Sequence, residues 1–446
     1  MRISEMIEPV MGCTEPAAMA MAASVAARVA CGAPPAWLGC DGLKGPAPKG
    51  WPGRGDIELV DLRTTRNLFK NAMAVGLPNT GGRSGISLAA ALGVYLDPAS
   101  RLNLLKQTTP ETLAMAGELL GSGRVTIGVD ERDVEVFIEC RVIARAGGER
   151  HVGEVIVRGC HDAVAEARRD GAKVFQACAG PVAGTTGTAL PPGKATLEGL
   201  VALARQISDE DRALIIRGAR MNMEAARVGL EKGLGLGVGA ALGAMVRDGI
   251  LGDGPVSRAR VMTAAACDAR MSGYEIEIMA SGGSGNQGIM ATISPMVLGG
   301  HMKTDERRLV EAMALGHIIT SFMTGEAGLL GGMCGCAIKA GIGATAACAY
   351  IFSDDPVVLE GAVNNMAGNI AGEICDGAKV GCALKLATAA GTAVEAAVLA
   401  ARGVSVPSTN GIIGRNALDT LDNIGALART MHAVDMRIVE IMRAKA

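Results

Sequence analysis

Two kinds of hydrophobic pattern divide the chain into a strand-rich first part and a helical second part. Between Val125 and Ala177, short β-branched segments are punctuated by Gly, Asp and Glu, which is typical of a half-buried antiparallel sheet. The predicted strands are Arg124–Val129, Val134–Ile138, Val152–Val157 and Lys173–Phe175. Upstream of them, the Ala-rich spacing of residues 3–30 predicts a helix, and Asn79–Gly85 predicts a loop that opens another helix.

The pattern after Thr196 is helical. Apolar positions recur at helical spacing in the segments 198–207, 209–231, 306–320, 340–352 and 385–402. A Gly-, Thr- and Pro-rich stretch, Gly180–Lys194, separates the two patterns and predicts a domain boundary. We therefore predict an α+β fold in two domains, in which a small mixed α/β part (1–190) packs on a larger, all-helical domain (191–446).

The composition of the chain argues against two classes of binding partner, nucleic acids and membranes. The 446 residues include 43 basic and 45 acidic side chains, for a formal net charge of -2, so the chain has no strong field to attract nucleic acid or an anionic membrane. Aromatic residues make up only 2% of the chain, while 62 residues are glycine, which favours helices packed closely through small side chains.

The sequence predicts neither a secretory signal nor a membrane span. Residues 1–13 include Glu5 and Glu8 and lack an uninterrupted apolar stretch, unlike a signal peptide. The longest apolar run, Ala340–Phe352, has 13 residues, whereas a spanning helix needs about 20. We expect a cytoplasmic protein with no membrane or nucleic-acid partner, and its association with further copies of itself stays open.

Twelve cysteines without a secretion signal argue against a disulfide framework, because cytoplasmic thiols are kept reduced. Seven of them are expected to be core or incidental surface residues: Cys31, Cys40, Cys140, Cys160, Cys178, Cys267 and Cys348. The remaining five lie in unusual contexts. In the first of these, Cys13 precedes Thr14, which can cap a helix with Pro16 in its first turn. The helix dipole there would favour the thiolate of Cys13, although the segment is also compatible with a plain helix cap.

The other two cysteine segments are Met333–Cys336 and Cys375–Cys382. Five cysteines and no histidine lie between Cys334 and Cys382. Soft thiolate donors suit an iron-sulfur cluster or structural zinc, and the alternative is that these small residues serve tight helix packing.

The spacing within Cys375–Cys382 predicts a loop or a helix break. On an unbroken helix the two cysteines would lie about 10.5 Å apart, at about 1.5 Å per residue, which is too far for one small cluster. Gly377 and Gly381 allow the segment to curl back, because glycine adopts conformations that a continuous helix does not use.

The segment Ser281–Gly288 predicts an anion-binding loop before a helix. Its glycines free backbone N–H groups to converge on a carboxylate or a phosphate, and its Ser, Asn and Gln side chains add neutral donors. It lacks the Gly-Lys-Ser/Thr ending of a Walker A loop. The alternative is a flexible glycine linker. The candidate ligand-binding residues are Ser281, Gly283, Ser284, Gly285, Asn286 and Gln287.

Six motifs, taken together, resemble the L-cysteine desulfidase family, which is related to the α chain of bacterial iron-sulfur L-serine dehydratases. They are GCTEPAA at 12–18, KNAMAVGLP at 70–78, GLEKGLGLGVG at 229–239, SGNQGI at 284–289, CGCAIKAGIGA at 334–344 and NMAGNIAGEICDGAKVGCALK at 365–385. The motifs run in order over nearly the whole chain, and the last is the most specific.

The resemblance implies a four-iron four-sulfur cluster held by Cys375, Cys382 and one residue of the Cys334/Cys336 pair. Residues two apart face different sides of a helix, so one of the pair is expected to bind, preferably Cys336. Cys13 is implied as either a fourth ligand or the base.

The implied reaction is a β-elimination from a small L-amino acid, most readily L-cysteine, which gives pyruvate, ammonia and hydrogen sulfide. A base removes the Cα proton, with iron as the Lewis acid for the leaving group. In this scheme the 281–288 loop holds the carboxylate, while Asn79 and Thr80 orient the amino acid. No lysine lies in a recognisable pyridoxal phosphate context, so we expect a reaction without that cofactor.

Two departures from the family bear on the substrate. The chain has PNTGGR at 78–83 where a PGTG-like loop is usual, and Glu373 where an apolar residue is usual. Either change can retune the pocket for a different or more acidic amino acid. The alternatives to a desulfidase are an L-serine or L-threonine dehydratase with the same cluster, and an iron-sulfur sensor without a substrate.

Overall fold

The computed structural model of the chain describes residues 2–32, 38–39, 42–43, 56–132, 136–177 and 196–445. The predicted boundary at Gly180–Lys194 therefore lies outside the described residues, as do Cys40, Cys178 and residues 134–135 of the predicted strand Val134–Ile138.

The strands and helices follow the predicted division. The strands are β1 (Ile7–Met11), β2 (Leu38–Gly39), β3 (Gly42–Leu43), β4 (Ile57–Thr65), β5 (Val125–Asp130), β6 (Phe137–Ala146), β7 (Glu149–Arg158), β8 (Val164–Arg169), β9 (Ala172–Gln176) and β10 (Glu277–Ser281). The helices are α1 (Thr14–Ala30), α2 (Arg66–Ala72), α3 (Ile86–Gly93), α4 (Pro110–Gly121), α5 (Leu197–Arg205), α6 (Asp209–Lys232), α7 (Val238–Arg247), α8 (Pro255–Met271), α9 (Gly285–Met302), α10 (Glu306–Ala327), α11 (Lys339–Phe352), α12 (Pro356–Ile370), α13 (Cys382–Ala401), α14 (Ala417–Thr430) and α15 (His432–Arg443). The α+β fold class is confirmed.

A six-stranded sheet forms the centre of the first part, in the order β5-β4-β6-β7-β8-β9. Its neighbouring strands are antiparallel except for the parallel pair β4 and β5. Strand β4 was not predicted, although its residues Ile57, Val60 and Leu62 are almost fully buried.

Helix α1 covers one face of this sheet and is buried along nearly its whole length. The small alanine side chains of α1 let the helix lie close to the sheet. A Cβ atom built on Gly153 of β7 would lie 2.0 Å from the carbonyl oxygen of Ala26, so only glycine fits where the helix crosses that strand. Helix α3 packs against α1 in the same close way, because a Cβ on Gly93 would lie 2.1 Å from the carbonyl oxygen of Ala20.

Small residues also set the packing of the second part, as the composition predicts. A Cβ on Gly343 of α11 would lie 2.5 Å from the carbonyl oxygen of Gly316 in α10. Helix α13 is long and apolar enough to cross a bilayer by length and composition alone. However, 61% of its apolar window is buried inside the protein, as in a core helix.

The first residues of the chain belong structurally with the second part. Strand β1 pairs antiparallel with β10, with Ile7 opposite Ser281 and Met11 opposite Glu277. The prediction of one helix over residues 3–30 is wrong for this stretch, and the second part contains a strand. Pro9 cannot donate a ladder hydrogen bond, and a two-stranded ribbon has few apolar positions, so the pattern gave no strand signal.

We expect Gly153→Ala to lower the free energy of unfolding by about 1–3 kcal/mol, because the added methyl group must push α1 away from β7. Denaturant unfolding followed by circular dichroism measures this change. The matched control is Gly117→Ala in α4, where a Cβ meets no atom within 4 Å. That change should be neutral or slightly stabilising. Equal effects of the two substitutions would contradict the packing described here.

Candidate active site at five cysteines

Three helices begin at the same cavity. Cys13 is the N-cap residue of α1, Ser284 is the N-cap residue of α9, and Cys382 is the first residue of α13. All three residues line the cavity. The N-terminal ends of helices carry partial positive charge and unpaired N–H groups, so the convergence favours anionic ligands.

Five cysteines line this cavity: Cys13, Cys334, Cys336, Cys375 and Cys382. Four of these thiols come from the two segments Met333–Cys336 and Cys375–Cys382, and Cys13 joins them from the first part of the chain. Cys334 and Cys336 both line the cavity, because residues 335–338 form turns and helix α11 begins only at Lys339. The other described cysteines, Cys31, Cys140, Cys160, Cys267 and Cys348, do not line it.

The segment between Cys375 and Cys382 is a loop, as its glycines predict. Helix α12 ends at Ile370, and α13 begins at Cys382. Gly377 has a φ of +94°, and a Cβ there would lie 2.2 Å from the carbonyl oxygen of Lys70. Glycine is thus required at this position both by the backbone conformation and by the approach of α2.

Backbone hydrogen bonds fix the two cysteine loops to each other. The Cys334 N–H donates to the Glu373 carbonyl over 2.9 Å, and the Cys375 N–H donates to the Gly332 carbonyl over 2.7 Å. These bonds surround an antiparallel bridge between Met333 and Ile374. The relative position of the two cysteines is therefore set by main-chain geometry.

Lys70 of α2 ties the cysteine loops to the C-terminal helix α15. Its Nζ atom donates to the Gly331 carbonyl at 3.0 Å and pairs with the Asp435 carboxylate at 2.5 Å. The side chains of Lys70 and Asp435 are 1% and 8% exposed. Because the Lys70 carbonyl also contacts Gly377, this one residue touches both loops that carry the cysteines.

Burial controls the protonation of the thiols. It raises the pKa of Cys13 to about 12, against the opposing effect of the Arg270 guanidinium. It also raises the pKa of Cys382 to about 11, although Lys379 lowers it. The predicted thiolate at the start of α1 is therefore wrong for the protein without a bound metal, because desolvation outweighs the helix dipole.

The donor set fits an iron-sulfur cluster better than a single metal ion. No group of three His, Cys, Asp or Glu side chains among the described residues is arranged to hold one ion. Instead, the thiols are spread around a cavity, as a larger group with several irons requires. A metal would also stabilise the deprotonated thiols that burial disfavours. The negative charge of a thiolate-bound cluster would lie among three helix N-termini.

The structure brings four of the predicted ligand-binding residues to the cavity wall, namely Gly283, Ser284, Asn286 and Gln287. Asn286 and Gln287 lie in the first turn of α9, and the predicted loop therefore ends earlier than expected. The Asn286 Oδ1 atom is buried without a hydrogen-bond partner. It is available to a ligand or a water molecule, whereas its Nδ2 atom contacts the Met271 sulfur at 3.6 Å.

The other predicted substrate residues do not line the cavity. The Ser281 hydroxyl lies 3.0 Å from Nδ1 of His317, and Gly285 lies against Arg270. Asn79 donates to the Lys106 carbonyl and to Glu275, and the Thr80 hydroxyl donates within its own turn. These groups hold the surrounding loops in place, and the structure brings none of them to the five cysteines.

Apart from the cysteines, four ionisable residues line the cavity, and none of them was predicted from the sequence: Glu15, His161, Arg270 and Lys385. Glu15 and Arg270 are charged residues inside Ala-rich helices, a pattern that signals a buried charge. His161 comes from the turn between β7 and β8 of the sheet, and its Nε2 atom is buried with no hydrogen-bond partner among the described residues. Lys385 pairs with Asp376 at 2.7 Å.

Comparison with known proteins places this geometry in a family. A family model described as the serine dehydratase alpha chain matches residues 101–440, a range that contains Cys334–Cys382 but not Cys13. The UPF0597 protein of Desulfatibacillum aliphaticivorans is 35% identical over 99% of this chain and 97% of its own length. Similar proteins occur in Desulfotalea psychrophila, with 35% identity over 98% of this chain and 95% of the relative. A UPF0597 protein of Clostridioides difficile is 31% identical over 98% of this chain and 97% of its own length.

We expect Lys70→Met to lower the free energy of unfolding by about 3–5 kcal/mol, because it leaves the buried Asp435 carboxylate without its cation. Chemical denaturation of the metal-free protein measures this loss. Adding Asp435→Asn to the same variant should restore part of the stability. The control is Arg415→Met, which breaks an ion pair with Asp419 whose arginine is 92% exposed and should change stability little. A Lys70 variant as stable as this control would contradict the role of the buried pair.

Proposed function

This chain belongs to the serine dehydratase alpha chain family, and we propose that it is a cytoplasmic iron-sulfur lyase that removes the β-substituent of a small L-amino acid. The proposed preferred substrate is L-cysteine, as in L-cysteine desulfidases. The observation that carries the proposal is the convergence of five cysteines, an arginine and three helix N-termini on one cavity. Thiols to hold a cluster, and cationic groups to hold a carboxylate, are thus available side by side.

The proposed cluster ligands are Cys375, Cys382 and one residue of the Cys334/Cys336 pair, with Cys13 as a further candidate. When bound, a four-iron four-sulfur cluster would supply a Lewis-acidic iron for the leaving group, and a soft thiolate suits it better than a hydroxyl. The Cys336 sulfur lies 4.0 Å from the Ser284 hydroxyl. A substrate on the first turn of α9 would therefore lie next to the cysteines.

The chain's own residues would orient the substrate and accept its proton. The start of α9, with Ser284 and Gln287, offers N–H, hydroxyl and amide donors to the substrate carboxylate, and the buried Asn286 Oδ1 atom offers an acceptor to the substrate ammonium group. The proton acceptor is assigned to His161, because its Nε2 atom is buried with no hydrogen-bond partner among the described residues, whereas burial raises the pKa of Cys13 to about 12. Breaking of the Cα–H bond supplies the electron pair of the new Cα–Cβ double bond while the Cβ–S bond breaks. Water then converts aminoacrylate into pyruvate and ammonia.

A concave site with polar side chains lies beside Cys375. Such a site is expected in an enzyme, which binds a substrate, and is not needed in a sensor or electron carrier without one. A dehydratase of L-serine or L-threonine is the second candidate, and the description of the family favours it. Steady-state assays of anaerobic protein distinguish the two. We expect a higher kcat/KM for L-cysteine, and a higher value for L-serine would overturn the desulfidase assignment.

Two substitutions test the division of roles between metal and substrate residues. Cys375→Ser should remove both iron and activity, because the cluster loses a ligand. Asn286→Ala should keep the iron and raise KM by about 10-fold or more, since a hydrogen bond to a charged group is lost. The control is Asn369→Ala at an exposed position of α12. An Asn286 variant that loses iron but binds substrate normally would contradict this division.

We expect His161→Gln to retain iron and substrate affinity while kcat falls by about 100-fold or more, because general base catalysis is lost. The measurement is the rate of pyruvate formation together with iron content. His151→Gln is the matched control, since His151 lies on the same sheet and binds Asp170 at 2.8 Å. If both variants turn over at similar rates, His161 is not the proton acceptor.

A further inference from the structure

Two opposite charges lie buried on the wall of the cysteine cavity without forming an ion pair with each other. Arg270 is 5% exposed and Glu15 is 9% exposed. Both side chains line the cavity, and no ion pair joins either of them to another described residue. Burial opposes the charge of Arg270, but the nearby Cys13 and Glu15 outweigh it, so that the pKa of Arg270 is raised. Neither charge has a directly bound counter-ion, which buried charges ordinarily have.

The contacts of Arg270 are with neutral groups. One terminal nitrogen donates to the Gly12 carbonyl over 2.9 Å, and the guanidinium lowers the pKa of the nearby Cys13 thiol against the larger effect of burial. The Nε atom is buried with no partner among the described residues. A Cβ on Gly285 would lie 2.5 Å from this Nε, so the glycine at the start of α9 makes room for the guanidinium. Since a guanidinium has five N–H donors, it keeps capacity for an anion.

The contacts of Glu15 are also with neutral groups. The Asn71 amide donates to Oε1 over 3.1 Å, and the Thr14 hydroxyl donates to Oε2 over 3.2 Å. These two bonds orient the carboxylate but do not neutralise it. Because an ionised carboxylate can accept about four hydrogen bonds, Glu15 keeps acceptor capacity for a cation.

We propose that Arg270 and Glu15 together recognise the two charges of a free α-amino acid, with Arg270 binding its carboxylate and Glu15 its ammonium group. The inference rests on the proposed function in taking an amino acid as the ligand, and it adds the residues that select this class. A zwitterion supplies the missing counter-charge to both residues at once through charge-assisted hydrogen bonds. Amides and N-acylated amino acids lack one of the charges and are excluded, and a peptide carries its two charges on different residues, too far apart to bind both groups.

The test uses two thiols that each carry half of the zwitterion. 3-Mercaptopropionate has the carboxylate without the ammonium group, and cysteamine has the ammonium group without the carboxylate. Their binding to anaerobically reconstituted protein is titrated through the visible absorption of the cluster. Iron content is measured on the same samples, so that cluster loss is seen separately from ligand binding.

We expect Arg270→Met to weaken binding of 3-mercaptopropionate by about 10-fold to 100-fold and to leave cysteamine unchanged, while Glu15→Gln does the reverse. Glu224→Gln and Arg227→Met are the matched controls, because they remove the same charges from an exposed pair on α6. They should change neither affinity. If a neutral variant does not fold, Arg270→Lys or Glu15→Asp replaces it. These variants keep the charge but change its position, so the same losses of affinity are expected to be smaller.

Variants that weaken both ligands equally, or neither, would overturn the proposal. It would also be overturned if Arg270→Met lost its iron while the remaining loaded protein bound 3-mercaptopropionate normally, because the arginine would then serve the cluster. If the predicted pattern appears but neither cysteine nor serine yields pyruvate, the amino-acid site stands and the proposed reaction fails. If pyruvate forms without the pattern, the reaction stands and this recognition role fails.

Discussion

The site depends on the convergence of three helix N-termini, those of α1, α9 and α13, at one cavity. Aligned peptide dipoles repel one another when their positive ends meet, so such an arrangement needs both close packing and a negative ligand. The packing comes from glycine and alanine contacts that bring backbones together. Strand β1 adds a direct link, because its pairing with β10 fixes the start of α1 next to the start of α9. Residues from opposite ends of the sequence thereby share one site.

The same electrostatic constraint explains the protonation of the cavity. Without metal, burial raises the pKa of Cys13 and Cys382, so these two thiols add little negative charge, and the Glu15 carboxylate opposes the positive charge of Arg270 and of the helix ends. A thiolate-bound cluster and a substrate carboxylate would both supply negative charge at this position. Main-chain hydrogen bonds between the two cysteine loops keep the thiols in place. The buried Lys70–Asp435 pair does the same. Preorganised donors lower the cost of binding such ligands.

Sequence reasoning found the parts of the site that leave a local pattern. The break between Cys375 and Cys382 followed from helix rise and glycine, and the helices of the second part followed from their periodicity. Strands β1 and β10 were missed because they are short and pair only through the tertiary fold. Glu15, His161 and Arg270 lie on three different elements, so nothing local showed that they share a cavity. Asn79 and Thr80 were chosen from a loop motif, but their hydrogen bonds are used within the fold.

The cofactor that we propose for the cavity at the three helix N-termini is an iron-sulfur cluster. The most direct measurement is the iron, acid-labile sulfide and zinc content of the anaerobically reconstituted protein, together with its visible and electron paramagnetic resonance spectra. We expect about four irons and four sulfides per chain, with the charge-transfer absorption of a cubane cluster. A tightly bound zinc ion with no iron or sulfide would contradict it.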